Sequence, residues 1–154
     1  MSKGPAAPSG DASRDELLAA LGELLEAERA GARVALASAG GTATASYASL
    51  MRAVRADEAH WCAMLSRQIR RLGGAPSRKT GAFYGKALAV ADPLERLAFL
   101  NRGQSWVVRK LDALMPRVRD DDLRCDLRDM AEKHRTNIAL AEDFLKESNP
   151  PAQA

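Results

Sequence analysis

The chain has 154 residues and a net charge of +3, with 46% hydrophobic, 28% charged and 5% aromatic residues. That length suits one domain, which buries roughly 70% of the surface its unfolded chain exposes and so needs no covalent staple. Acidic and basic residues are interleaved, which argues against an extended nucleic-acid footprint. No apolar run is long enough to cross a membrane.

Residues 1–13 are rich in Gly, Pro, Ala and Ser and lack the apolar centre of a signal peptide, so they read as a disordered lead. The domain is expected over 14–147 and a free tail over 148–154, opening near Pro150-Pro151. Cys62 and Cys125 both fall inside helical patterns and do not form a disulfide framework. Reduced thiols and no leader point to a cytoplasmic protein.

Alanine and leucine are abundant, and both enter helices at little entropic cost. The first helix is expected from Ser13, where Ser13 and Glu16 have capping-box spacing, to Ala39, before Gly40-Gly41. Leu17, Leu21, Leu24, Glu28, Ala32 and Ala35 form its stripe. The second runs from Ala45 to Leu72, with Leu50, Val54, Asp57, Trp61, Met64, Leu65, Gln68, Ile69 and Leu72 on one face, and stops at Gly73-Gly74 and Pro76. A longer connection follows, with a short helical piece near Phe83 to Val90. The third opens at Asp92-Pro93, an N-cap with proline at the first helical position, and closes at Pro116. Its stripe is Leu94, Leu97, Asn101, Gln104, Val108, Leu111 and Met115. The fourth begins among Asp120 to Asp122, where acids suit the helix dipole, and carries Leu123, Leu127, Met130, His134, Ile138, Ala141 and Leu145. Short links within each pair and one long link between pairs predict two antiparallel hairpins joined by a crossover.

Every stripe has a polar interruption near its middle: Glu28; Asp57 with His60 at its flank; Asn101 and Gln104; His134. Glu28 and Asp57 are about equally far from the first turn, and Gln104 and His134 from the second, so the interruptions are expected at one height. A buried carboxylate costs several kcal/mol unless it is paired or bound to metal. These groups can satisfy one another, or they can hold a divalent ion, since carboxylate oxygen and imidazole nitrogen suit iron, manganese and zinc. Asp57 and His60, three apart, can reach one ion together.

Here the chain resembles the ferritin-like superfamily, in which two helices each give a lone Glu and two give a Glu-x-x-His pair. Glu28 resembles the first lone Glu, Asp57-Glu58-Ala59-His60 the first pair with Asp for Glu, and His134 the second histidine. Ala131 stands where the second pair's Glu would be, and Asn101 or Gln104 where the other lone Glu would be. The stretches Leu24 to Val34, Trp61 to Ser77 and Leu97 to Arg109 also resemble a bacterial family of ferritin-like domains with no established activity. The resemblance implies an all-α, ferritin-like antiparallel four-helix bundle with a degenerate di-iron site. Two acidic groups in place of four favour a single ion, iron or manganese, on Glu28, Asp57, His60 and His134, with Asn101 and Gln104 orienting ligands or holding a water. If the protein is an enzyme, it is then a metal-dependent oxidoreductase.

Two other readings stay open. The polar layer can simply fix packing in a non-enzymatic helical module. Alternatively the protein is an RNA-associated oxidoreductase, with Arg67, Arg70, Arg71, Arg78 and Lys79 as its basic patch. A homodimer through an outer helix face is compatible with either. Glu58 is expected on the flank of its helix, Glu132 in solvent, Cys62 as a buried thiol, and Phe83 and Tyr84 as cover for Phe99 and Trp106.

Overall fold

The computed structural model describes residues 10–41 and 44–148; the remainder of the expected lead (1–9) and tail (149–154) lies outside the described residues. Among those residues there are five α-helices and no strand: α1 (Arg14–Ala39), α2 (Ala45–Arg71), α3 (Phe83–Leu88), α4 (Pro93–Leu114) and α5 (Asp121–Ser148), with a 3-10 turn at Met115–Arg117. None is long and apolar enough to cross a membrane.

The helix starts are set by side chains that satisfy otherwise unpaired N–H groups. Ser13 Oγ accepts from Glu16 N at 3.1 Å, and Glu16 returns the contact to Ser13 N, closing the expected capping box. Thr44 caps α2 through Tyr47 N, and Asp92 caps α4 through Glu95 N, with Pro93 inside the first turn. Asp120 accepts from Leu123 N at the head of α5. The end of the lead is pinned: Ala12 N donates to Arg117 O and Arg117 Nε donates to Gly10 O.

α1 packs along α2 and α4 along α5, with α1 also touching α3 and α4, and α2 touching α5. The buried residues fall into two apolar clusters. One joins Leu17 to Leu25 of α1, Trp61 to Ile69 of α2, Val107 to Leu114 of α4 and Leu123 to Ala131 of α5. The other joins Val34 and Ala35, Tyr47 to Val54, Leu97 and Leu100, and Ala141. The early part of α1 thus meets the late part of α2, as an antiparallel hairpin requires. Between the clusters lie the buried polar residues Glu28, Glu58, Asn101, Gln104 and His134, one zone crossing four helices.

The crossover is held against α1. Arg14 Nε donates to Leu72 O, Arg29 Nη1 to Lys79 O, and Ser77 Oγ to Glu26 Oε1. Gly73 turns the chain at φ +84°, a conformation that favours glycine. Phe83, opening α3, stacks on Phe99 with ring centroids 5.1 Å apart. Gly103 makes this possible, because a Cβ there would lie 2.9 Å from the Phe83 ring. The expected cover therefore reaches Phe99, while Trp106 stays 41% exposed beneath the Lys110 ammonium.

Candidate metal centre

Glu28 projects from the middle of α1, between Leu25 and the small residues Ala30 and Gly31, and is 1% exposed. His134 projects from α5 and is 2% exposed. Its Nδ1 lies 2.9 Å from Met130 O, one turn back. A carbonyl can only accept, so Nδ1 carries the proton and the neutral ring turns the lone pair of Nε2 inward. Nε2 lies 2.6 Å from Glu28 Oε1. Among the described residues no N–H group donates to Nε2 or to either Glu28 oxygen, so only a proton on a carboxyl or a cation can bridge this contact.

The third member of the group is Glu58, 5% exposed. Ligating atoms of Glu28, Glu58 and His134 all lie within 4.8 Å of one another. The expected pair Asp57 and His60 is not part of this cluster. Asp57 is half-buried and accepts from Asn137 Nδ2 at 2.9 Å, with Lys133 Nζ 3.9 Å away. His60 is exposed and meets Trp61 edge-on. The reason is helical phase. α2 buries Met51, Val54, Glu58, Trp61, Leu65 and Gln68, at alternating spacings of three and four, and leaves Leu50 half-buried. Val54, Trp61, Met64, Leu65, Gln68 and Ile69 are buried as expected, but Met51 and Glu58 take the inward places expected of Leu50 and Asp57.

Gly31 admits Glu58. A Cβ on Gly31 would stand 2.7 Å from Glu58 Oε2 and 2.8 Å from both Cδ and Oε1. Sequence reasoning missed this pair. The available signals were the Met51–Val54–Glu58–Trp61–Leu65 spacing and a mid-helix glycine three residues after Glu28, where glycine costs helix stability without a packing reason.

Burial dominates the electrostatics. It pushes the Glu28 carboxyl up to about 7, against a smaller opposing effect of its hydrogen-bonding contact with Glu58. Burial and the charge of Glu28 hold Glu58 well above the usual carboxylate range. Burial also holds His134 below the ordinary imidazole value. Without a cation, these shifts favour neutral carboxyls and a neutral ring over their charged forms. Burial likewise pushes the Cys62 thiol up to about 12, as expected for an unreactive thiol.

The expected orienting residues divide. Gln104 shares with Glu58 a cavity of about 420 Å³ that opens between α1, α4 and the crossover. Asn101 Nδ2 donates to Ile138 O at 3.4 Å, and its Oδ1 is buried without a partner. Glu132 is exposed as expected. In the basic patch, Arg71 makes two bonds to Asp120 and Arg67 one to Asp126, while Gln68 donates to Asp122 and Asp126. These two arginines brace α2 against α5; Arg70, Arg78 and Lys79 are exposed.

Two carboxylates and one imidazole on three helices are a donor set for one divalent ion, with further positions left open to water or ligand. The contact of His134 Nδ1 with Met130 O also fits, because a metal-binding histidine ordinarily donates its other nitrogen to a carbonyl or carboxylate. The fold and the cluster together define an all-helical protein with a buried Glu–Glu–His group that could hold a metal ion. The chain belongs to a family described as a domain of unknown function, DUF6306, whose profile matches residues 15–143. No curated protein and no solved structure matches it.

Proposed function

We propose that the protein is a ferritin-like four-helix bundle, formed by α1, α2, α4 and α5, that binds one divalent ion, iron or manganese, through Glu28, Glu58 and His134. The observation that carries this reading is the convergence of a lone-pair nitrogen and two buried carboxyl groups: His134 Nε2 sits 2.6 Å from Glu28 Oε1, and ligating atoms of Glu28, Glu58 and His134 all lie within 4.8 Å of one another. A cation is the group that both atoms would accept at once. Gln104, which lines the same cavity as Glu58, would position a ligand or water on the open side. Oxidoreductase chemistry at such an ion is the extension suggested by the superfamily resemblance.

A second reading rests on the raised carboxyl values. A proton on Glu28 would donate to Nε2, and the layer would be a neutral polar network that fixes register. Elemental analysis of protein purified without chelator, with thermal melts before and after adding manganese or iron, separates the two. About one equivalent of metal and a melting shift lost in Glu28→Gln support the ion; no metal and no shift leave the network.

A further inference from the structure

The cavity beside Glu58 has a chemistry of its own. At about 420 Å³ it falls within the range of small-molecule sites. Its charged lining residues, Glu23, Glu26 and Glu58, are all acids. Glu23 is offset by its ion pair with Lys110, whereas Glu26 receives only the Ser77 hydroxyl. Glu26 thus gives the cavity wall one carboxylate with no ion-pair partner among the described residues. An anionic ligand would meet like charge on entry, and a cation would not.

The rest of the wall is apolar and aromatic, with Leu100, Val107, Phe83 and Trp106 prominent. These side chains offer contact to the apolar body of an organic ligand and little to a hydrated metal ion, which holds its water shell. Two uncharged polar side chains, Thr80 and Gln104, are set among them, and Gln104 is 5% exposed. The amide of Gln104 carries a carbonyl oxygen that can accept from an N–H donor. The shape depends on two glycines. Gly31 makes room for Glu58, and Gly103 seats Phe83 at the rim.

We propose that this cavity binds a small organic amine in its ammonium form, with the apolar body against Phe83, Trp106 and Val107 and the charged head toward Glu26, Glu58 and Gln104. This goes beyond the metal reading and does not depend on it, because Glu26, Gln104 and the aromatic lining lie outside the ion's ligand set. Where the ion is bound, the cavity would deliver the amine to the side of the cluster formed by Glu58.

The test uses 2-phenylethylamine, its neutral analogue 2-phenylethanol and the acid 3-phenylpropionate, each titrated into metal-free and manganese-loaded protein. The readout is the indole N–H resonance of Trp106, assigned with Trp106→Phe. The amine should saturate and bind at least about tenfold more tightly than the acid, the difference shrinking with salt. Glu26→Gln should weaken the amine by about threefold and leave the alcohol unchanged. Ala27→Leu, which fills the cavity with a good helix former, should abolish amine binding while preserving helicity and the manganese melting shift. Equal or tighter binding of the acid, amine binding that survives Ala27→Leu, or no binding of the amine would each overturn the proposal. If Ala27→Leu only slows manganese uptake, the cavity is an entry path for the ion and the proposal likewise falls. Amine binding without any manganese shift would retain the proposal and remove the metal reading.

Discussion

Gly31→Ala tests whether the glycine exists to admit Glu58. Exchange of a mid-helix glycine for alanine stabilises a helix by about 1 kcal/mol. Gly22, also inside α1, gives that baseline, since nothing lies within 4 Å of the Cβ it would gain. At Gly31 the new Cβ would meet three Glu58 carboxyl atoms at 2.7–2.8 Å, so the carboxyl must leave its slot. Crowding of that kind costs about 1–3 kcal/mol, so metal-free Gly31→Ala should lose about 0–2 kcal/mol net while Gly22→Ala gains about 1. The decisive effect is on metal linkage. An ion at 100 times its dissociation constant stabilises the folded state by about 2.7 kcal/mol, or roughly 5–10 °C in melting temperature for a domain of this size. That shift, measured by calorimetry after chelator treatment and with manganese restored, should persist in Gly22→Ala and vanish in Gly31→Ala. A full shift in Gly31→Ala would refute the role given to Glu58.

Asp57→Asn and His60→Ala should leave the manganese melting shift intact, whereas His134→Gln and Glu28→Gln should remove it; loss in either of the first pair would restore the ligand set read from the sequence. Metal-free protein should lose stability as pH rises from 6.5 to 8. Glu28 titrates near 7 when folded and from its ordinary 4.5 when unfolded, so the folded state retains a proton the unfolded state has released, costing up to about 1.4 kcal/mol per pH unit between those values. His134 acts oppositely, but only as pH falls below its ordinary 6.5, where the unfolded chain takes up a proton the buried ring resists. Urea midpoints at the two pH values measure this, and an unchanged or higher midpoint at pH 8 would contradict it. Asp120→Ala should cost about 0.5–2 kcal/mol through loss of the α5 cap. The Asp120 carboxyl is held at about 2, first by Arg71, so this contribution should fade as pH falls from 3.8 through 2; a variant that stays as far below wild type at pH 2 as at pH 7 would argue against it. Gly103→Ala should loosen the crossover by displacing Phe83, seen as faster amide exchange over α3 with α5 unchanged.

The helices were legible because their signals are local. Ser13 with Glu16, Asp92 with Pro93, and Asp120 each mark a start through bonds within one turn, and all three form. Glu28, Gln104 and His134 were legible as buried polar interruptions. Glu58 was not, because Asp57 and Glu58 lie in two registers with the same alternation of three and four, and only packing against α1 chooses between them. That choice depends on Gly31, about 27 residues earlier in the chain, a contact with no periodic trace. The cations of the basic patch were visible, but their partners Asp120, Asp122 and Asp126 sit about fifty residues away and cancel charge only after folding.

The polar zone between the two apolar clusters divides the protein into segments that share few greasy contacts across the boundary. Each segment could then breathe separately, with amides on one side opening while those on the other stay protected. An ion clasped by α1, α2 and α5 would act as a rivet between the segments, so that loading it would convert two loosely linked openings into one concerted event.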